Sequence, residues 1–162
     1  LLAETVGEVA VEGCRSYQPG VTTGTFIRPL DIDALRQNIT STFGENRDLS
    51  FSTGAHTGTD IQADMGTPIY ASDGGVVTMC ALHHSYGNVI YIQHDNGYRT
   101  IYAHMSAFAD GIEVGTEVSQ GQLIGYVGST GTSTGPHLHF EVYRQFSRVD
   151  GASLLDLTYG GY

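Results

Sequence analysis

The sequence predicts a mainly β fold, an antiparallel β-sheet sandwich of duplicated hairpins with at most one short helix. Three observations carry that expectation. Twenty-two glycines and ten tyrosines in 162 residues, with no long run of helical period, favour short strands joined by tight turns. From about Gly66 onward, apolar residues alternate with period two. The stretch "GTPIYASDGGVV" from Gly66 is echoed by "GTEVSQGQLIGYVG" from Gly115. Each echo holds a Gly-Thr pair, a strand, a glycine-containing turn and a second strand. The length suits one domain that can bury a core without covalent staples.

Taken in order, residues 1–24 read as an extension ending in the linker-like "YQPGVTTGT". Residues 25–145 form the expected domain, and 146–162 a tail without a strong pattern. "DIDALRQNI" suits a short helix, with Asp31 as its cap and Ile32, Leu35 and Ile39 on one side. "TPIYASDGGVVTMCAL" predicts two strands around Asp73-Gly74-Gly75. "GNVIYIQHDNGYRTIYAHMS" predicts a hairpin whose two-residue loop is Asn96-Gly97, the pair that prefers a type I′ turn. That loop sets Asp95 opposite Tyr98, Ile92 opposite Ile101, Tyr91 opposite Tyr102 and Val89 opposite His104. His104 then ends a strand on the face of Tyr102 and Val89, with Ile101 and Ala103 on the other.

Composition excludes several partners. Seventeen acidic residues face seven basic ones, all arginine, for a formal charge of −10. Such a chain has no cationic stripe to follow phosphates, which argues against nucleic acid and anionic membrane surfaces. No apolar run is long enough to insert in a bilayer, and no signal-peptide pattern is present. The chain starts at Leu1, so it is expected to be part of a longer multidomain protein. Cys14 and Cys80 suit either pairing in an oxidising compartment or two separate thiols, Cys80 within a strand.

Chemistry concentrates in the histidines. In a strand, residues two apart share a face. "HLHFEV" therefore puts His137, His139 and Glu141 on one face and Leu138, Phe140 and Val142 on the other, the second a core face. "HTGTD" holds His56 and Asp60 four apart, with Gly58 between them to let both turn toward one ion. Imidazole nitrogen and carboxylate oxygen are ordinary Zn²⁺ ligands, and a catalytic zinc site takes three protein ligands. His56, Asp60 and one of His137 or His139 supply three. His104 and the remaining histidine are left to handle protons, for which imidazole suits neutral pH. Among the others, His83 and His84 are expected at the surface, with the groove rim as the alternative, and His94 at the surface. Glu141 is expected either to orient a histidine or to face solvent. Tyr86, Tyr91 and Tyr102 suit a groove lining, with core packing an equal alternative for Tyr91 and Tyr102.

"HTGTD", "YAHMS" and "TGPHLHFEV", in this order and spacing, resemble the signatures of the lysostaphin-type zinc endopeptidases, the M23 peptidase family. The resemblance runs from roughly Ile39 to Tyr143. It implies an antiparallel sheet core with a narrow groove, Zn²⁺ held by His56, Asp60 and His139, and catalytic His104 and His137. It also implies peptidoglycan peptides as substrate, and a place outside the cell, at the cell wall or in the periplasm. Thr59 stands where the family usually has an aliphatic residue. "FGENRDLSFSTGA", before His56, falls where relatives have a variable groove wall.

Other readings fare worse. A non-catalytic cell-wall-binding or assembly module on the same fold would be favoured by loss of a ligand, and none of the five positions is lost. "EVGTEVSQGQLIGYVG" is similar to part of a biotinyl or lipoyl carrier, but the chain lacks the lysine such a carrier needs. No Gly-x-Ser-x-Gly elbow marks a serine nucleophile, and neither cysteine sits in a nucleophile motif.

Overall fold

A computed structural model describes residues 19–30, 39–41, 58–131, 133, 135–145 and 147–149. Among the described residues there are ten strands: β1 (Ile39–Ser41), β2 (Thr59–Gln62), β3 (Pro68–Tyr70), β4 (Gly75–His83), β5 (Gly87–Gln93), β6 (Tyr98–Phe108), β7 (Glu117–Val118), β8 (Leu123–Val127), β9 (His137–Arg144) and β10 (Ser147–Val149). They form one sheet in the order β1-β2-β9-β6-β5-β4-β7, with β10 added to β9 and β8 bonded to both β6 and β3. Every pairing is antiparallel. The described residues contain no helix. The helix expected over Asp31–Ile39 lies outside them, except that Ile39 itself belongs to β1. The tail, patternless in sequence, contributes β10.

The echo seen in the sequence folds as two interlocked units. β3 of the first unit pairs with β8 of the second, and β7 of the second pairs with β4 of the first. Ile69 lies opposite Gly125 as Val118 lies opposite Gly75, and Pro68 opposite Tyr126 as Glu117 opposite Val76. The backbone bonds correspond too. Val127 N donates to Thr67 O at 2.8 Å and Val77 N to Thr116 O at 2.9 Å. Gly66 N donates to Val127 O and Gly115 N to Val77 O, each at 2.8 Å. Gly75 and Gly125 are required at the equivalent crossings. A Cβ there would come within 2.3 Å of Gln93 O and 2.7 Å of Ala107 O, both backbone atoms.

The main core lies between the sheet and the β3–β8 branch. Ile61, Ile69, Ile90, Tyr102, Leu138 and Phe140 are fully buried in it. Burial of such side chains is the main favourable contribution to folding, about 1.5–3 kcal/mol each. The segment before β1 joins this core. Phe26, Ile27 and Leu30 are buried, and the Asp73 carboxylate accepts from the Thr23 and Gly24 amides.

The hairpin differs from its expected form. His94 N bonds Tyr98 O at 2.8 Å, which makes the loop three residues, Asp95-Asn96-Gly97, with Gly97 at φ 85°. Near the turn the register shifts by one, so Ile92 lies opposite Thr100 and Tyr91 opposite Ile101. A third loop residue with glycine in the left-handed region is the common alternative to the type I′ turn.

His94 is also not at the surface. It is buried, with Nδ1 at 2.8 Å from Gly74 O and Nε2 at 2.9 Å from Thr100 Oγ1. Thr100 Oγ1 meets the Tyr102 hydroxyl at 2.8 Å, and that hydroxyl accepts from Ser72 N at 3.0 Å. The chain has one consistent wiring. A carbonyl only accepts, so Nδ1 carries the proton, Nε2 accepts from Thr100, and Thr100 accepts from Tyr102.

Candidate active site

The site is built on one face of β9. His139 has Asp60 of β2 opposite it on one side and Ala103 of β6 on the other. The alternation of β9 is as expected, with Leu138, Phe140 and Val142 in the core and His137, His139 and Glu141 on the reverse face. Gly58 is needed for close approach, not for flexibility. A Cβ there would stand 2.6 Å from Phe140 O and 3.0 Å from the His139 ring. Thr59, beside it, is fully buried on the core side, and its hydroxyl has no hydrogen-bond partner among the described residues.

His104 arrives by a β-bulge. Asn88 pairs with Met105 and Ile90 with Tyr102, so Ala103 and His104 together lie opposite the single residue Val89. His104 has φ 61°, in the left-handed region, at a cost of about 1–3 kcal/mol. The bulge breaks the alternation of β6. Val89 and Ala103 line the site side of the sheet, while Tyr102 and Met105 point into the main core. His104 joins the site side, with ring centroids 4.8 Å from His137 and 5.8 Å from His139. The expectation that it shares a face with Tyr102, with Ala103 opposite, is corrected by that one inserted residue.

Backbone carbonyls set the tautomers of the two outer histidines. His104 Nδ1 donates to Thr130 O at 2.7 Å, and His137 Nδ1 donates to Gly135 O at 2.9 Å. When neutral, each imidazole therefore carries its lone pair on Nε2. His137 Nε2 lies 3.6 Å from Asp60 Oδ1. Burial lowers the His104 pKa, as do positive charges on His137 and His139, against the Thr130 bond that raises it. A neutral, proton-accepting His104 follows.

His139 is bound differently. Its Nε2 meets Glu141 Oε2 at 2.7 Å and its Nδ1 meets Asp60 Oδ1 at 2.6 Å. Glu141 is fully buried and accepts from the Tyr86 hydroxyl at 2.6 Å. Burial opposes charge on His139, but the bonds to Asp60 and Glu141 outweigh it and push the pKa up to about 9. With Nε2–H given to Glu141, the Nδ1 lone pair faces a carboxylate oxygen. Two acceptors in that position need positive charge between them, either a proton or a cation. An imidazole nitrogen and a carboxylate oxygen converging in this way fit Zn²⁺. The third expected ligand, His56, lies outside the described residues. Among the described residues no group of three such side chains is arranged to hold a metal ion.

The remaining candidates sort as follows. His83 is half-buried and His84 exposed, with rings 4.3 Å apart. Tyr102 is core, and Tyr91 packs on the site-side cluster near Arg99. Cys80 stands in β4 as a free thiol, and Cys14 and the stretch 43–55 lie outside the described residues. The roles of Tyr86 and Thr130 were not foreseen. Their signal lies in partners 55 and 26 residues away, and no local pattern exposes it. No helix among the described residues is long and apolar enough to cross a membrane.

The chain is similar to known proteins in sequence and in fold. Over 96 residues the chain is 51% identical to the DD-carboxypeptidase/endopeptidase Mpg of Neisseria meningitidis serogroup B, covering 59% of this chain and 20% of that protein. Over 87 residues it is 48% identical to the peptidoglycan DD-endopeptidase ShyA of Vibrio cholerae serotype O1, covering 54% and 20%. The chain thus spans about a fifth of the length of these relatives. Among solved structures, a zinc containing peptidase from Vibrio cholerae superposes with a TM-score of 0.70 at 36% identity, covering 78% of this chain and 39% of that one. The model of peptidase family M23 matches residues 54–151, more than half of the sequence and all of the site just described. The chain belongs to peptidase family M23.

Proposed function

We infer that this chain is the catalytic part of a zinc-dependent endopeptidase that hydrolyses peptide bonds in bacterial peptidoglycan, in cross-bridges or stem peptides. The observation that carries the reading is the meeting of Asp60 and His139 on one sheet face, with His104 and His137 beside them. His56, Asp60 and His139 would hold the metal. When bound, zinc supplies Lewis-acid chemistry, lowering the pKa of water to about 7 and polarising a carbonyl.

The protein's own groups handle the protons. His104 and His137 each present Nε2, because Nδ1 is committed to a carbonyl. One Nε2 takes the proton as water attacks the scissile carbonyl. The other, protonated at Nε2, donates to the developing oxyanion. As the C–N bond breaks, the abstracted proton passes to the leaving amine. The relatives named as peptidoglycan DD-endopeptidases support this substrate class. They also support a location in the periplasm or at the wall, within a longer protein.

The test is mass spectrometry of purified peptidoglycans digested by this chain, with chelator and with zinc restored. Cross-linked fragments that split only with zinc present are the expected result, and their masses name the bond. Bound zinc with no cleavage of any wall type would instead favour a binding or assembly module.

A further inference from the structure

We propose that Tyr86 is a positioning residue that orients His139 through a hydroxyl–carboxylate–imidazole relay, while its backbone carbonyl holds the amide of His104. This inference rests on the reading of His139 as a zinc ligand. Tyr86 reaches the site by three routes. Its hydroxyl donates to Glu141 Oε2, the same oxygen that meets His139 Nε2. Its ring stacks on the His139 ring at 5.9 Å. Its carbonyl accepts from His104 N at 2.7 Å, the amide of the residue held in the left-handed region.

Tyr86 is itself fixed. Its amide and that of Ser85 donate to His83 Nδ1 at 3.1 and 3.0 Å, and its ring lies 5.2 Å from the His83 ring. On its other side, Gly87 adopts φ 67° against Thr130, where a Cβ would stand 2.4 Å from the Thr130 carbonyl carbon. Asn88 N donates to Thr130 Oγ1 at 3.0 Å, and the Thr130 carbonyl accepts from His104. One tripeptide, Tyr86-Gly87-Asn88, therefore braces both a metal ligand and a proton-handling histidine.

The chemistry of the relay is specific. The Glu141 carboxylate holds the proton of His139 on Nε2, so Nδ1 presents its lone pair toward Asp60. The hydroxyl of Tyr86 fixes which way that carboxylate turns. Partners of this kind, acting behind a ligand, typically change metal affinity 10–100-fold.

The experiment measures zinc affinity of the whole chain by competition with a chromophoric chelator, for wild type, Tyr86→Phe, Glu141→Gln and the double variant. Tyr86→Phe keeps the ring and its stacking and removes only the hydroxyl. It is expected to weaken zinc binding about 10-fold. Because the hydroxyl acts through the carboxylate, the double variant should bind zinc no more weakly than Glu141→Gln alone. Wild-type affinity in Tyr86→Phe, or losses that multiply in the double variant, would overturn the proposal. Tyr86→Phe decides the first point even where Glu141→Gln does not fold. Wild-type protein that takes up no zinc would overturn the metal reading itself, a result distinct from unchanged affinity in Tyr86→Phe.

Discussion

His104 and His139 lie 5.8 Å apart yet are expected to fail differently when removed. His139 touches Asp60 at 2.6 Å, so His139→Ala removes half of the convergent pair and should abolish both zinc uptake and hydrolysis. His104 bonds Thr130 through its ring and Tyr86 through its amide. His104→Ala should keep zinc and lose about 10²–10⁴-fold in turnover, the usual worth of a positioned acid–base group. Zinc titration and turnover assays on the two variants check this division of roles, and equal zinc loss in both would overturn it. The same residues show how far sequence reaches. The face shared by His137 and His139 is legible because strand alternation is local. The face of His104 is not, because the extra residue in β6 is set by pairing with β5. The burial of His94 is likewise hidden, since its partners Gly74 and Thr100 are brought to it by other strands.

At the scale of an element, the chain Gly74–His94–Thr100–Tyr102–Ser72 couples the β5–β6 hairpin to the turn before β4. Burial lowers the His94 pKa, against the Gly74 bond and the charges of Asp73 and Asp95, which raise it. The folded state therefore binds this proton less readily than the unfolded state, whose value is about 6.5. The stabilisation is complete above about pH 6.5 and is lost as pH falls from there through the folded value. The slope is at most about 1.4 kcal/mol per pH unit for one proton. Urea unfolding of wild type and His94→Leu at several pH values checks it. The variant should lack this part of the decline below pH 6.5, and identical declines would count against it. The sequence marked this hairpin correctly as an element. The third loop residue resets its register, and its Gly97 carbonyl accepts from Gln145 N, just past the end of β9, a contact that no local pattern exposes.

For the whole molecule, the fold class was legible because period-two alternation and the echo both persist over most of the chain. How the echoes engage was not, since a hairpin folded on itself and a hairpin exchanged with its neighbour have the same sequence signature. The structure chooses exchange, and this governs how the protein can assemble. β4 can pair with β5 as soon as β5 exists, but β3 pairs only with β8 among the described strands and the other edge of β4 only with β7, so neither unit is complete until β7 and β8 have followed. Completing the exchange must wait for residues through Val127, and contacts this distant in sequence place the fold among slow-folding topologies, on the millisecond-to-second scale. The same exchange makes the finished molecule hard to pull apart. A cut between the exposed residues Glu113 and Val114 severs the chain between β6 and β7, but leaves β2·β9, β3·β8, β4·β7, β6·β8 and β6·β9 joining the two pieces. The nicked protein should elute as one particle in size-exclusion chromatography, and separate elution of the pieces would refute the point. Two halves that cannot finish folding alone thus become, once joined, each other's lock.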